Sequence, residues 1–198
     1  MKRSEYASSS TNTAKGSFRS LFFSCPLFLG LLLLMPFCSQ AATESSELTQ
    51  SRTQAVTTVV LGIISYTRWS TPPNPVRLCV TAQTRYADGL FSPLLLEAPH
   101  PIKTQRLPLD SDKLSQQCDV IYLGDVSNTQ RRALIPRIAG HSILVISEND
   151  TECSAGSAFC LQPRGEQIGF KVNLDALARS GVRVHPNVLQ LARKLGSS

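Results

Sequence analysis

Beyond residue 41 the sequence has no glycine-rich phosphate loop, no GxSxG nucleophile elbow and no pair of histidines at metal-ligand spacing. Motifs for nucleotide cradling, serine hydrolysis and zinc binding are therefore missing. The histidines that are present have plainer readings. His100 stands between Pro99 and Pro101 in a rigid turn, His141 follows Gly140 at the start of an apolar run, and His185 precedes Pro186 at a helix entry. Asp88, Asp125, Asp150 and Asp175 each fall beside an element boundary, where carboxylates serve as caps and turn residues. No catalytic constellation results, so the chain reads as a non-enzyme, with no cofactor and no metal expected. Basic residues form no run longer than Arg131-Arg132 and do not interleave with aromatics, so a nucleic-acid footprint is missing too. There is no internal repeat.

What the sequence does have begins with a leader. Leu21–Phe37 is an almost unbroken apolar run preceded by Lys2, Arg3, Lys15 and Arg19, and Ser39-Gln40-Ala41 offers small residues where a signal peptidase cuts. This predicts a cleaved signal peptide over residues 1–41, a single domain over 42–198 and a bacterial periplasmic location. A retained anchor is the rival, but Pro26 and Pro36 break the run, which falls short of the roughly 20 residues that span a bilayer. Lipidation at Cys38 is disfavoured by the bulky Phe37 before it. The whole-chain charge of +6 includes four leader cations against Glu5, leaving +3 for a nearly balanced mature part. No second hydrophobic segment follows, which predicts a soluble mature protein.

The mature part alternates helical and extended patterns. After a polar segment, about Thr43–Arg52, expected to be loosely ordered, Val56, Val59, Val60, Ile63 and Ile64 form one helical stripe. Prolines 72, 73 and 75 end it. Val76–Ala82 reads as a strand with Leu78 and Val80 on one face and Cys79 on the other, Ile102–Leu107 as a weaker strand, and Cys118–Leu123 as a strand covered on both sides. Asp110–Lys113 turns into a short helix. Asn128–Ile138 is a helix with Ser127 as N-cap and Gly140 as terminator. Ser142–Ser147 is another buried strand, and Glu148-Asn149-Asp150 opens a loop. Ile168, Phe170 and Val172 alternate along a strand, Asn173–Ala178 is a short helix, and Val182–Val184 a last strand. A terminal helix begins at Pro186, with Val188, Leu191, Ala192 and Leu195 as its stripe. The alternation predicts an α/β fold: a three-layer, Rossmann-like sandwich with a mainly parallel sheet and helices on both faces.

Of the six cysteines, Cys79, Cys118, Cys153 and Cys160 remain after the leader. An even count behind an export signal predicts two disulfides, and four cysteines permit three pairings. Cys79 and Cys118 sit on strands that a parallel sheet can place side by side, while Cys153 and Cys160 bracket a small loop. The pairing favoured is therefore Cys79 with Cys118 and Cys153 with Cys160. A redox-active reading of the second pair is weak, because the spacing is not that of a CxxC motif and no basic neighbour lowers a thiol pKa.

Several stretches resemble the YfiR family of small exported proteins. These are residues 55–69 (AVTTVVLGIISYTRW), Val76–Val80, Cys118–Gly124, and Phe170–Asp175 leading into Gly181–Val184 and Leu189–Ala192, and all four cysteines fall at family positions. The resemblance implies a periplasmic repressor. It would hold the periplasmic sensor domain of an inner-membrane, YfiN-like diguanylate cyclase inactive, lowering cyclic-di-GMP and biofilm formation. An outer-membrane, OmpA-like, peptidoglycan-binding lipoprotein of the YfiB type would sequester it, and loss of correct disulfides would release the cyclase. A homodimer is implied as well. The candidate partner contacts are Phe159 within the disulfide-closed loop, read as a loop-tip anchor with a fold-back onto the sheet as the equal rival, Lys171, expected to face away from inward Phe170 and Val172, and Leu177 on the helix just after. Tyr66 and Trp69 read as packing residues. The rival function is a small periplasmic solute-binding protein with its ligand at the carboxyl ends of the strands.

Overall fold

In the computed structural model, which describes residues 40–153 and 156–194, the first helix, α1, runs Gln40–Tyr66. The leader with its apolar run, and Cys25 and Cys38 within it, lies outside the described residues. The stripe read from the sequence is the buried face of α1: Val56, Val59, Val60 and Ile63 are wholly buried and Ile64 nearly so. Their β-branching weakens helix propensity, and burial at about 1.5–3 kcal/mol per side chain compensates. Thr43–Arg52, expected to be loose, is helical instead. Threonine hydroxyls there bond back to carbonyls one turn earlier, Thr49 to Ser45 and Thr53 to Thr49. Arg52 then fastens this half of the helix to the body, donating through Nε to the Gly165 carbonyl and through Nη1 to the Tyr86 hydroxyl.

After α1 come β1 (Thr67–Arg68), β2 (Val76–Thr81), two 3-10 turns at Asp88–Phe91 and Pro93–Leu96, β3 (Ile102–Arg106), α2 (Leu114–Gln117) and β4 (Val120–Leu123). The chain continues through α3 (Asn128–Ile138), β5 (Leu144–Ser147), β6 (Phe159–Arg164), β7 (Gln167–Val172), α4 (Leu174–Arg179), β8 (Arg183–Val184) and α5 (Val188–Lys194). Six strands form one sheet in the order β3-β2-β4-β5-β6-β7, parallel throughout except for the β6–β7 hairpin at one edge. Strand alternation sends Leu78, Val80, Val120, Tyr122, Leu144 and Ile146 toward α1. Cys79, Ile121, Leu123 and Val145 point the other way, onto Leu114 of α2 and Leu134 of α3. The sheet is thus covered on both faces, and each strand between reads as continuously apolar.

Three further placements differ from the sequence reading. The loop opened by Glu148-Asn149-Asp150 was expected to hold the second cysteine pair, but Cys160 lies in β6. β5 reaches only Phe159 and Cys160 of β6, so Pro163 lies where the strand pairs on one side alone, a position that tolerates the missing donor. Gly165, at φ 58, then makes the tight reversal into β7. The last strand, β8, is not in the main sheet: it pairs antiparallel with β1, Thr67 opposite Val184 and Arg68 opposite Arg183. The terminal helix starts at Val188, after a turn through Pro186 and Asn187. Its Val188 is buried and Leu191 partly so, while the side chains of Ala192 and Leu195 lie outside the described residues.

Candidate functional site

Both disulfides form as the strand placement predicts, Cys79 to Cys118 with Cα atoms 5.7 Å apart and Cys153 to Cys160 at 5.5 Å. The first joins the middle of β2 to the residue entering β4. Beside it Asp119 takes a two-pronged ion pair from Arg77, with Nη2 to Oδ1 at 2.7 Å and Nε to Oδ2 at 2.9 Å, so the Arg77 pKa is raised, chiefly by that hydrogen bond.

The second disulfide belongs to a corner built from the loop after β5, the β6–β7 hairpin and α4. Its base is a buried ion pair. Arg131, in the first turn of α3, places Nη1 3.1 Å from Asp150 Oδ2, with both side chains almost wholly inaccessible. Charges at this depth persist only when hydrogen bonds satisfy them. Arg131 also donates to Asn128 Oδ1 and to the carbonyls of Val126 and Asn149, and Asp150 Oδ1 accepts from the Cys153 N–H. The ordered start of α3 makes this possible: Ser127 and Gln130 form a reciprocal capping box. Above the pair, Asn173 donates to the Cys153 carbonyl and accepts from the Ala176 N–H, capping α4 and tying it to the disulfide loop at once.

The candidate contact residues all fall on this corner, but not alike. Phe159 is not a loop tip. It is the first residue of β6, has no accessible surface and meets Phe170 edge to face at 5.5 Å between ring centroids. The expectation that it is an exposed anchor is corrected: the small loop ends one residue earlier, and the ring turns into the α1 face of the core. Lys171 does face away from Phe170 and Val172. It is exposed on β7 and its ammonium donates to the Thr151 carbonyl at 2.8 Å, holding the loop down. Leu177 is partly buried against the core. Leu174, at the start of the same helix, is 73% exposed. Nothing in the sequence distinguished Leu174 from Leu177, since their exposure depends on how α4 is rolled against β7. Tyr66 stacks on His185 and Trp69 donates its indole N–H to the Ser142 carbonyl, as packing residues do.

At the carboxyl ends of β2, β4 and β5 lies a crevice of about 170 Å³ lined by Arg52, Arg85, Tyr86, Asp125, Glu148 and their neighbours. Small-molecule sites usually occupy about 300–1,000 Å³, so the place where a solute binder would hold its ligand is undersized. Its buried acids are also committed, Asp150 to Arg131 and Glu148 to the backbone. Glu148 accepts from the backbone N–H groups of Arg85 and Tyr86, and burial raises its pKa more than those bonds lower it. Tyr122, underneath, has a buried hydroxyl without a hydrogen-bond partner among the described residues, and burial, with Glu148 and Tyr86 adding to it, pushes its pKa well up. These groups fasten the β2 loop to β5. Among the described residues no group of His, Cys, Asp and Glu could hold a metal ion, and no helix is long and apolar enough to cross a membrane. Residues 53–193 match the family model described as YfiR/HmsC-like.

Proposed function

The chain belongs to the YfiR/HmsC-like family, and from that premise we propose that it is a periplasmic regulator of cyclic-di-GMP signalling that acts by binding other proteins. The observation that carries the reading is the match itself, which spans every strand of the main sheet and both disulfides. Two disulfides suit an oxidising compartment. In this reading the protein holds the periplasmic sensor domain of an inner-membrane diguanylate cyclase of the YfiN type inactive, and an outer-membrane, peptidoglycan-binding lipoprotein of the YfiB type competes for it. A homodimer is the assembly proposed.

The disulfide corner is the contact surface proposed, with Leu174, Leu177 and Lys171 as its accessible groups and Phe159 as part of its foundation. An apolar side chain as open as Leu174, on a helix pinned by a cap and a disulfide loop, is the kind of preorganised anchor that interfaces use. Deletion of the protein is expected to raise intracellular cyclic-di-GMP and sessile growth, and the effect is expected to vanish in a strain that also lacks the cyclase. A double deletion with cyclic-di-GMP still raised would show that the protein acts through something else. In the same assay Leu174→Asp is expected to lift repression with an unchanged melting temperature, and full repression by a folded Leu174→Asp protein would move the contact surface elsewhere.

A further inference from the structure

Between α3 and α4, on the sheet face that α3 covers, a cavity of about 280 Å³ opens to solvent. Ile143 just before β5, Val145 on it and Ala158 form its floor, and Ile135, Ile138 and Ala176 its walls. The space exists because small residues stand where larger ones would fill it: Ala158 and Ala176 are both buried without reaching across. Gly156, at φ 80, lets the chain pass so close to Ile135 that a Cβ there would come within 2.9 Å of that side chain. The mouth has the opposite character. Arg179 and His141 line it, both exposed, beside Ser180. The Ser180 hydroxyl is occupied, donating to the Leu177 carbonyl. Asp175, one turn before Arg179 on α4, makes no ion pair with it among the described residues.

We propose that this cavity binds a compact apolar carboxylate, such as an arylacetate or a medium-chain fatty acid, with the apolar body between α3 and α4 and the carboxylate on Arg179. An apolar pocket with few convergent polar groups is the usual form of a small-molecule site, and its size, just below the usual range, selects a ligand smaller than a nucleotide. A guanidinium matches a carboxylate with two parallel hydrogen bonds, and His141 adds a second donor at the same rim. The complementary charge commits the pocket to an anion over a neutral or cationic molecule of equal shape.

The test is titration of the isotopically labelled mature protein with phenylacetate and octanoate, against 2-phenylethanol and octanol, followed by amide shifts in two-dimensional NMR. Saturable shifts centred on residues 138–143, 156–158 and 176–180 are expected with the acids, and markedly weaker ones with the alcohols. Arg179→Gln, at an exposed position, is expected to weaken the acids about tenfold and leave the alcohols unchanged. Ala176→Leu fills the cavity and is expected to abolish binding of all four, with its fold checked by its disulfide map and amide spectrum. No saturable shift, equal binding of acid and alcohol, or acid binding indifferent to Arg179→Gln would each overturn the proposal, as would shifts seen only on dimer formation.

Discussion

Phe159 and Glu148 are single residues whose placement fixes what their removal does. Phe159→Ala deletes a wholly buried ring that touches Phe170 and the α1 face of the core. It is expected to cost about 3–5 kcal/mol, read as a lowered urea midpoint, and loss of repression in that variant would follow from unfolding. An unchanged midpoint would contradict the buried placement. Glu148 has a folded pKa above the ordinary carboxylate value, burial being the larger cause. Between the ordinary and the raised value the folded state holds a proton that the unfolded state has released. This group's contribution to stability therefore grows as pH falls through that window and is lost as pH rises through the folded pKa. Urea titrations from neutral pH down to the ordinary glutamate value of about 4.3 are expected to show a component of that sign that Glu148→Gln removes. Parallel pH profiles for the two proteins would contradict it.

At the scale of elements, the disulfides close loops of very different span, 39 residues apart against 7. In the chain-entropy account these are worth about 4 and about 2.5 kcal/mol. Cys79→Ser is accordingly expected to lower the thermal midpoint more than Cys153→Ser, and the reverse order would show that the Arg131–Asp150 base depends on the shorter bridge. Helix stripes and continuously apolar strands were legible in the sequence, since period alone places Val56 to Ile64 on one face and Val120 to Leu123 between two layers. The N-cap at Ser127 was legible for the same local reason. β6 was hidden because Pro163 is tolerated only where β5 stops short, a fact of register that no local pattern contains. The helical start of α1 was hidden because Arg52 secures it to Gly165, 113 residues away. Of the candidate contacts, strand parity gave the outward face of Lys171, while helix position alone did not separate half-buried Leu177 from exposed Leu174. Phe159 was misplaced with its strand, and the buried Arg131–Asp150 pair was hidden because Asp150 reads as a cap or turn carboxylate and only burial joins it to Arg131.

At the scale of the molecule, the proposed export of the chain carries its own prediction. The mature protein is expected to begin at Ala42 and to be recovered in the periplasmic fraction, as intact mass of that fraction determines; an uncut leader recovered with inner membranes would refute it. The two-stranded β1–β8 ladder joins residues 67–68 to residues 183–184, which gives the order of synthesis a physical meaning. A chain that crosses a membrane amino end first delivers the α1 stripe early and β8 nearly last. Contacts of such long sequence separation form slowly, and apolar faces left open in the interval are the ones that aggregate. The β1–β8 ladder is thus a latch in time: until β8 arrives, the strand that continues α1 lacks its partner Arg183–Val184, and a holdase or a protease meets an unpaired edge there.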